Sequence, residues 1–209
     1  METRRTNYHI QSDYAKKIFL EFDQEKMIKK FSLKSDCEYI YIYFVGQMYR
    51  INRVNGDVEF TVDGCVYSEQ AQFNEVLSIF DLLTYSKDNL TLSGEWTGIH
   101  NLNTTGIFGY DETGKSYEKY TRKMEDTGKL KEALEKLGGV QVPFGDIGYV
   151  ISVFERVPIM IQFWEADDEF SAQIRFLWDK NILDYVRFET SFYIVHHLLD
   201  RIVEIIEQI

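Results

Sequence analysis

Acidic side chains cluster in the C-terminal half of this chain. Glu165, Asp167, Asp168 and Glu169 fall within one short segment, and Asp179 follows downstream. Hard cations such as Ca²⁺ and Mg²⁺ take several oxygen ligands, which a carboxylate-rich turn supplies. The EF-hand spacing is absent, and the alternative is a solvated turn whose charges deter edge-to-edge strand pairing. Asp168, Glu169 and Asp179 are therefore candidate metal ligands.

A second polar group is predicted on the C-terminal helix. At about 100° per residue, Glu189, His196 and Asp200 share a narrow arc, with Tyr193 beside them. Such a column is able to ligate a metal or act as acid and base. It is much less specific than HExxH, and a water-exposed helix face is the alternative. The metal hypothesis places five residues around one divalent ion: Asp168, Glu169, Asp179, Glu189 and His196.

Other catalytic signatures are missing from the sequence. It has no GxSxG elbow, no GxxxxGKS loop and no GxGxxG after a strand. Cys37 and Cys65 are its two cysteines, and they lie in neither CxxC nor Cys-His spacing. This pattern argues against a thiolate zinc site and a disulfide framework. Cys65 follows Gly64 and is interpreted as a small buried residue near a turn.

Aromatic residues suggest a different kind of site. Trp96 and His100 lie in the segment 90–110, which has no clean hydrophobic period. Long irregular segments inside compact domains are often functional. Trp164 and Glu165 stand at the acidic turn, and aromatic rings are able to line a pocket for a flat ligand, although core packing is the alternative. These four residues are predicted ligand or partner contacts.

Hydrophobic periodicity predicts the elements that must position these side chains. Ser12 or Asp13 is expected to cap the first helix, Asn55-Gly56 to form a hairpin turn and Gly138-Gly139 to end a helix. The predicted elements are helices at 11–31, 70–86, 115–137 and 188–208, a β meander at 37–62 and a β hairpin at 150–179. This order favours an α+β fold: an antiparallel or mixed sheet of hairpins covered by helices, with the C-terminal helix closing one domain over residues 1–209.

Composition limits the possible partners. The chain has 209 residues, of which 44% are hydrophobic, and a formal net charge of −11. That charge repels phosphate backbones and anionic membranes, so neither nucleic acid nor a membrane is an expected partner. No apolar run approaches the roughly 20 residues that span a bilayer. We expect a soluble, cytoplasmic protein with room for cationic partners or metal ions.

Several short sequence motifs give the chain a resemblance to a known family. They occur in this order: Phe44-Val45-Gly46-Gln47-Met48-Tyr49-Arg50, Gly56-Asp57-Val58, Leu92-Ser93-Gly94-Glu95-Trp96, Leu137-Gly138-Gly139, Phe144-Gly145-Asp146, Val153-Phe154-Glu155-Arg156-Val157-Pro158, Trp164-Glu165 and Asp168-Glu169-Phe170, with Asp179 and Glu189 downstream. In these motifs the chain resembles a family called domain of unknown function 3786. Ala166 stands where the family usually has Gly, and Thr190 stands where an Asp commonly follows the Glu.

The resemblance implies a context instead of an activity. The family belongs mainly to anaerobic bacteria, and some members resemble fusions to cysteine-rich iron–sulfur modules. With two cysteines this chain cannot build such a cluster alone. The resemblance therefore implies a redox or metallocofactor protein as partner.

Two functional hypotheses follow, and neither specifies a cofactor. The leading one is a non-catalytic ligand- or partner-binding accessory domain in anaerobic metabolism. The alternative is a divalent-metal-assisted hydrolase or lyase that uses the acidic hairpin and the C-terminal helix. A purely structural role, in which the carboxylates only keep the domain soluble, also stays open.

Overall fold

The computed structural model describes residues 7–61, 67–102 and 117–209. Contacts along the chain define two compact units, one of Met1–Leu90 with Asp184–Ile194 and one of Thr91–Leu183 with Val195–Ile209. The fold is α+β as predicted, and within the described residues every strand pair is antiparallel. The predicted single domain stays a prediction, since compactness does not measure whether a unit folds alone.

The first unit contains a five-stranded sheet in sequential order. Its strands are β1 (Lys34–Ser35), β2 (Tyr39–Phe44), β3 (Gln47–Asn52), β4 (Val58–Thr61) and β5 (Tyr67–Gln70). The meander predicted at 37–62 corresponds to β2, β3 and β4, with a short strand added at each edge; residue 62 itself lies outside the described residues. Alternation on β2 buries Ile40, Ile42 and Phe44 in the core. The other β2 face carries three tyrosines.

Turn residues fix the register of this sheet. Val45 and Gly46 both have positive φ, 45° and 72°, and form the two-residue turn between β2 and β3. Gly56, with φ 71°, belongs to the longer turn before β4, at the Asn55-Gly56 pair where the sequence predicted it. The interpretation of Cys65 as a small buried residue near a turn falls outside the described residues.

Three helices belong to the first unit: α1 (Asn7–Glu21), α2 (Gln24–Phe31) and α3 (Phe73–Tyr85). The helix predicted at 11–31 is interrupted because Asp23 adopts an extended conformation and its side chain accepts the Lys26 N–H at 3.1 Å, capping α2. Helix α1 starts before Ser12 and Asp13, which therefore lie inside it. Phe19 of α1 stacks on Phe80 of α3 at 4.9 Å between ring centroids.

The second unit contains the other five-stranded sheet, in the order β6-β10-β9-β8-β7. Its strands are β6 (Trp96–Thr97), β7 (Val140–Gln141), β8 (Ile147–Phe154), β9 (Val157–Trp164) and β10 (Gln173–Asp179). The hairpin predicted at 150–179 is β9 with β10, extended on one side by β8. Pairing resumes only at Gln173, because Asp167 closes a turn by accepting the N–H groups of Glu169 and Phe170. Phe170, which lies in this turn before the pairing resumes, is 61% exposed.

The remaining helices are α4 (Glu118–Thr121), α5 (Thr127–Lys136) and α6 (Phe188–Gln208). The helix predicted at 115–137 is broken by Asp126, which caps α5 by accepting the Gly128 and Lys129 N–H groups at 3.1 Å. A 3-10 turn at Arg122–Met124 precedes that break. Helix α6 matches the prediction at 188–208; its first turns belong to the first unit and the rest to the second.

Candidate functional site

A groove lies between α1 and α3 in the first unit. Its volume is about 420 Å³, within the range of small-molecule sites. Most of its wall is apolar, and a few polar groups interrupt it. The lining residues are Ile10, Gln11, Tyr14, Ala15, Ile18, Leu77, Phe80, Asp81, Thr84, Arg187 and Thr190.

Sequence periodicity explains how the walls form. Tyr14 and Ile18 repeat at four-residue spacing on α1, as do Leu77 and Asp81 on α3 with Phe80 beside them, so each set shares a helix face. Tyr14 is 65% exposed and Ile10 55% exposed. A large apolar surface is therefore left open to solvent, which a soluble protein usually covers or uses.

Asp81 and Arg187 form an ion pair in the groove. Asp81 is 5% exposed, and its two oxygens accept the Arg187 backbone N–H at 2.7 Å and the Arg187 Nη1–H. The Thr190 side chain donates a further hydrogen bond to the same carboxylate. Burial raises the pKa of Asp81 above its ordinary value, while these bonds and the Arg187 charge oppose the rise.

This ion pair also has a structural role. Arg187 immediately precedes α6, so its N–H is among the donors that a helix start leaves without an intrahelical partner. Asp81 satisfies that donor and places a negative charge at the positive end of the helix dipole. The pair therefore stabilises the start of α6. It also places the Arg187 guanidinium in the wall of the apolar groove. A carboxylate with a perturbed pKa inside a groove is a typical mark of a functional site.

Asp179, one of the predicted metal ligands, has its carboxylate occupied by protein donors. It is 3% exposed. Its Oδ1 accepts the N–H and Oγ–H of Ser93, both at 3.0 Å, and the Asn181 N–H at 2.8 Å, while Oδ2 accepts the Gly94 N–H at 2.8 Å. Asp179 thus holds the segment that leads into β6. We call this arrangement the Asp179 latch.

The acidic turn lies at the other end of β10. Asp168 and Glu169 are exposed and come before Gln173, where β10 begins, whereas Asp179 is its last residue. Six residues of strand span about 20 Å, so the structure does not bring Asp179 to the acidic turn. Within residues 7–61, 67–102 and 117–209, no group of three or more His, Cys, Asp or Glu side chains is arranged to hold a metal ion.

The two ligands predicted on α6 occupy different surroundings. Glu189 is exposed in the first turn of the helix and belongs to the first unit. His196 is half-buried in the second unit, with its ring 5.9 Å from that of Tyr117. Its neighbour His197 is 7% exposed. The five-ligand arrangement behind the metal-assisted hydrolase or lyase hypothesis is therefore not assembled.

The four predicted contact residues do not share one surface. Trp96 pairs with Asp179 at one end of β10, and Trp164 pairs with Gln173 at the other. Glu165 follows Trp164 and donates its N–H to Asp146 Oδ2 at 2.9 Å. His100 is half-buried in a 3-10 turn at Ile99–Leu102. Trp96, His100, Trp164 and Glu165 stay predictions as individual contacts, and residues 103–110 of the irregular segment lie outside the described residues.

The groove residues were missed by the sequence reasoning, although one signal was present. Asp81 interrupts the apolar run Ile79-Phe80-Asp81-Leu82-Leu83. A charge within such a run must be paired or solvated, because burying it alone is costly. Its partner lies 106 positions away in the sequence, so the pattern alone does not identify it.

Fold and groove together define an α+β protein with two antiparallel five-stranded sheets, described over the ranges given above, and a ligand-sized groove between α1 and α3. Residues 23–201 match the family described as Domain of unknown function (DUF3786), and the chain belongs to that family. Helix α1 precedes the matched residues, whereas α3 and Arg187 fall within them. No curated protein and no solved structure matches the chain. Among the helices in the described ranges, none combines the length and apolar character needed to cross a membrane.

Proposed function

We propose that this protein is a non-catalytic binding domain whose small-molecule ligand occupies the groove between α1 and α3. The observation that carries the proposal is the apolar groove of about 420 Å³ interrupted by buried Asp81, which is paired with the half-exposed Arg187 side chain. Small-molecule sites typically combine an apolar wall with a few placed polar groups, and this groove has both.

The driving force for binding is burial of apolar surface. A ring system of aromatic side-chain size buries about 200 Å², which contributes about 5 kcal/mol before the costs of association. Lost translational and rotational freedom removes much of that gain. We therefore expect dissociation constants between about 1 μM and 1 mM for simple aromatic probes.

Calorimetric titration with 2-naphthamide and 2-naphthoate tests the proposal. Ala15 lines the groove, so Ala15→Trp fills it from one wall. Lys17→Trp is the matched control, because Lys17 lies on the same helix, is exposed and does not line the groove. We expect at least one probe to bind wild type and the Lys17→Trp protein with 1:1 stoichiometry. Affinity should fall at least tenfold in Ala15→Trp.

Three results count against the proposal. The first is the absence of saturable binding by either probe to the wild-type protein. The second is unchanged affinity in Ala15→Trp when its thermal unfolding shows that it is folded. Loss of binding in both Trp variants assigns the effect to altered α1 stability instead of groove filling, and this too counts against the proposal.

The biological setting is proposed from the sequence. A redox or metallocofactor protein as partner rests on the family resemblance, and a cytoplasmic location rests on composition. Co-purification from an anaerobic culture tests the partner: a bound protein that carries a metallocofactor supports the accessory role, and recovery of the protein alone argues against it.

A further inference from the structure

Part of the Arg187 guanidinium makes no hydrogen bond to the part of the chain that the structure describes. Its guanidinium gives Nη1–H to Asp81, and its side chain is 52% exposed. Among the described residues, Nε and Nη2 have no partner. These two nitrogens form one edge of the planar guanidinium, and this edge matches the two oxygens of a carboxylate.

The plane of this guanidinium is held in place before any ligand arrives. Its Cζ lies 4.6 Å from the centroid of the Tyr85 ring, a stacking distance. Asp81 fixes the same group from the Nη1 side, and the Arg187 backbone is tied to the same carboxylate. A donor group restrained at three points loses little conformational freedom when it binds a ligand.

The anionic side chain of the groove, in contrast, is already engaged. Both Asp81 oxygens accept bonds from Arg187, and Thr190 supplies another. The Thr84 hydroxyl uses its proton on the Phe80 carbonyl at 2.7 Å, and the side chains of Gln11 and Tyr14 are neutral. Arg187 is therefore the charged donor among the described residues that line the groove, and a ligand whose polar end is an anionic acceptor fits it best.

We propose that the groove selects carboxylic acids with an apolar body, with the ligand carboxylate on the Nε–Nη2 edge of Arg187. The inference rests on the proposed function, because it specifies the ligand class of the same groove. The flat or short-chain apolar body of the ligand packs against α1 and α3. Arg187 then binds two carboxylates, that of Asp81 through Nη1 and that of the ligand through the Nε–Nη2 edge.

Negative charge opposes this arrangement both near the groove and over the whole chain. Glu189 is exposed near Asp81, and the whole chain carries −11. Charges beyond about 8 Å are largely screened at physiological ionic strength, so the distant ones matter little. The hydrogen-bonded contact with Arg187 is short-ranged and is worth more than a solvent-screened repulsion. The preference for a carboxylate should persist in 150 mM salt.

Comparison of 2-naphthoate with its neutral isostere 2-naphthamide tests the inference by calorimetry. We expect wild type to bind naphthoate at least tenfold more tightly. Arg187→Gln should abolish that preference, measured as the ratio of the two affinities in the same protein, and Arg187→Lys should keep part of it because the charge remains without the planar edge. Arg175→Gln is the charge-matched control, since Arg175 is exposed on β10 and does not line the groove.

The outcomes separate the two proposals. If neither probe binds wild type, the proposed function fails and the ligand class fails with it. If both probes bind equally, or if Arg187→Gln keeps the full preference, the groove stands and the carboxylate inference is wrong. An equal loss of preference in Arg175→Gln also overturns it, because bulk charge would then explain the selectivity. Thermal unfolding of each variant checks that Asp81 tolerates the change.

Discussion

The Asp179 latch gives a prediction whose size follows from its hydrogen bonds. We consider Asp179→Asn, which keeps the shape of the side chain and replaces one oxygen by an NH₂ group. One amide oxygen can still accept the Ser93 and Asn181 bonds, but the NH₂ group then faces the Gly94 N–H. If the amide is rotated by 180°, its oxygen accepts the Gly94 N–H, but the NH₂ group then faces the donors of Ser93 and Asn181.

The expected loss follows from these contacts. Hydrogen bonds to a charged group each contribute about 1.5 to 3 kcal/mol, and a buried donor without an acceptor costs about 1 to 3 kcal/mol. Losing one bond and weakening the others gives a destabilisation of about 2 to 4 kcal/mol. With a urea m-value of about 2 kcal/mol/M, the unfolding midpoint should fall by about 1 to 2 M.

The pH dependence of this destabilisation identifies the Asp179 carboxylate as its source. Burial alone would raise the pKa of Asp179, but hydrogen bonds from Ser93, Asn181 and Gly94 outweigh it and lower the pKa. The folded state therefore binds the proton more weakly than the unfolded state. The stabilisation is fully present above the unfolded pKa of about 3.9 and is lost as the pH falls through the lower folded value.

Urea unfolding followed by tryptophan fluorescence measures this effect at pH 7 and at successively lower pH below 4. Asp168→Asn is the charge-matched control, because Asp168 is exposed and its side chain accepts no hydrogen bond from residues 7–61, 67–102 or 117–209. We expect a large difference from wild type for Asp179→Asn, shrinking in acid, and almost none for Asp168→Asn. A pH-independent loss, or equal effects of the two substitutions, would refute the assignment of the latch.

Two further predictions concern the second unit. A Cβ at Gly148 would overlap the carbonyl oxygen of Phe144, so Gly148→Ala should lower the free energy of unfolding by about 3 kcal/mol. At Gly138 a Cβ meets no atom within 4 Å, and the strain comes only from the positive φ of 76°, so Gly138→Ala should cost about 1 kcal/mol. Equal urea midpoints for the two variants would contradict this reasoning. Burial, with a smaller effect of Arg201, lowers the pKa of His197 to about 3, so the folded state resists a proton that the unfolded state binds below about 6.5. Wild-type stability should therefore fall by about 1.4 kcal/mol for each pH unit below 6.5 through this residue, and His197→Leu should remove that slope in urea titrations at pH 4 to 7.

Periodicity was sufficient to predict most elements of the fold. The alternation on β2, the Asn55-Gly56 turn and the full length of α6 are local properties of the sequence, and the structure has them where they were predicted. Two predicted helices contain breaks, and the cause is the same in both. Asp23 and Asp126 each leave the helical conformation to cap the next helix, and an apolar stripe that continues across the break conceals this.

The functional residues were harder to predict because their partners are distant in sequence. Asp179 was assigned to a metal site from its residue type, and its acceptor role depends on Ser93 and Gly94, more than 80 positions earlier. Carboxylates cluster in the sequence at the acidic turn, but a strand about 20 Å long separates that turn from Asp179. The residue types therefore identified the carboxylates, whereas the strand register determines which of them lie close enough to interact.

Asp81 explains why binding and stability must be separated at the groove. Its carboxylate holds the start of α6 and one edge of Arg187 at once, so removing it would leave helix donors and an arginine unpaired. Breaking a fully buried pair costs about 3 to 5 kcal/mol; the half-exposed Arg187 side chain lessens that cost here, but the loss is still a large part of the stability of a domain. An Asp81 variant that fails to bind would therefore say little about recognition. Ala15→Trp alters a ligand contact while every bond between Asp81 and Arg187 remains. Arg187→Gln removes the ion pair and keeps only the Asp81 bond to the backbone N–H, so its binding is interpreted together with its thermal unfolding.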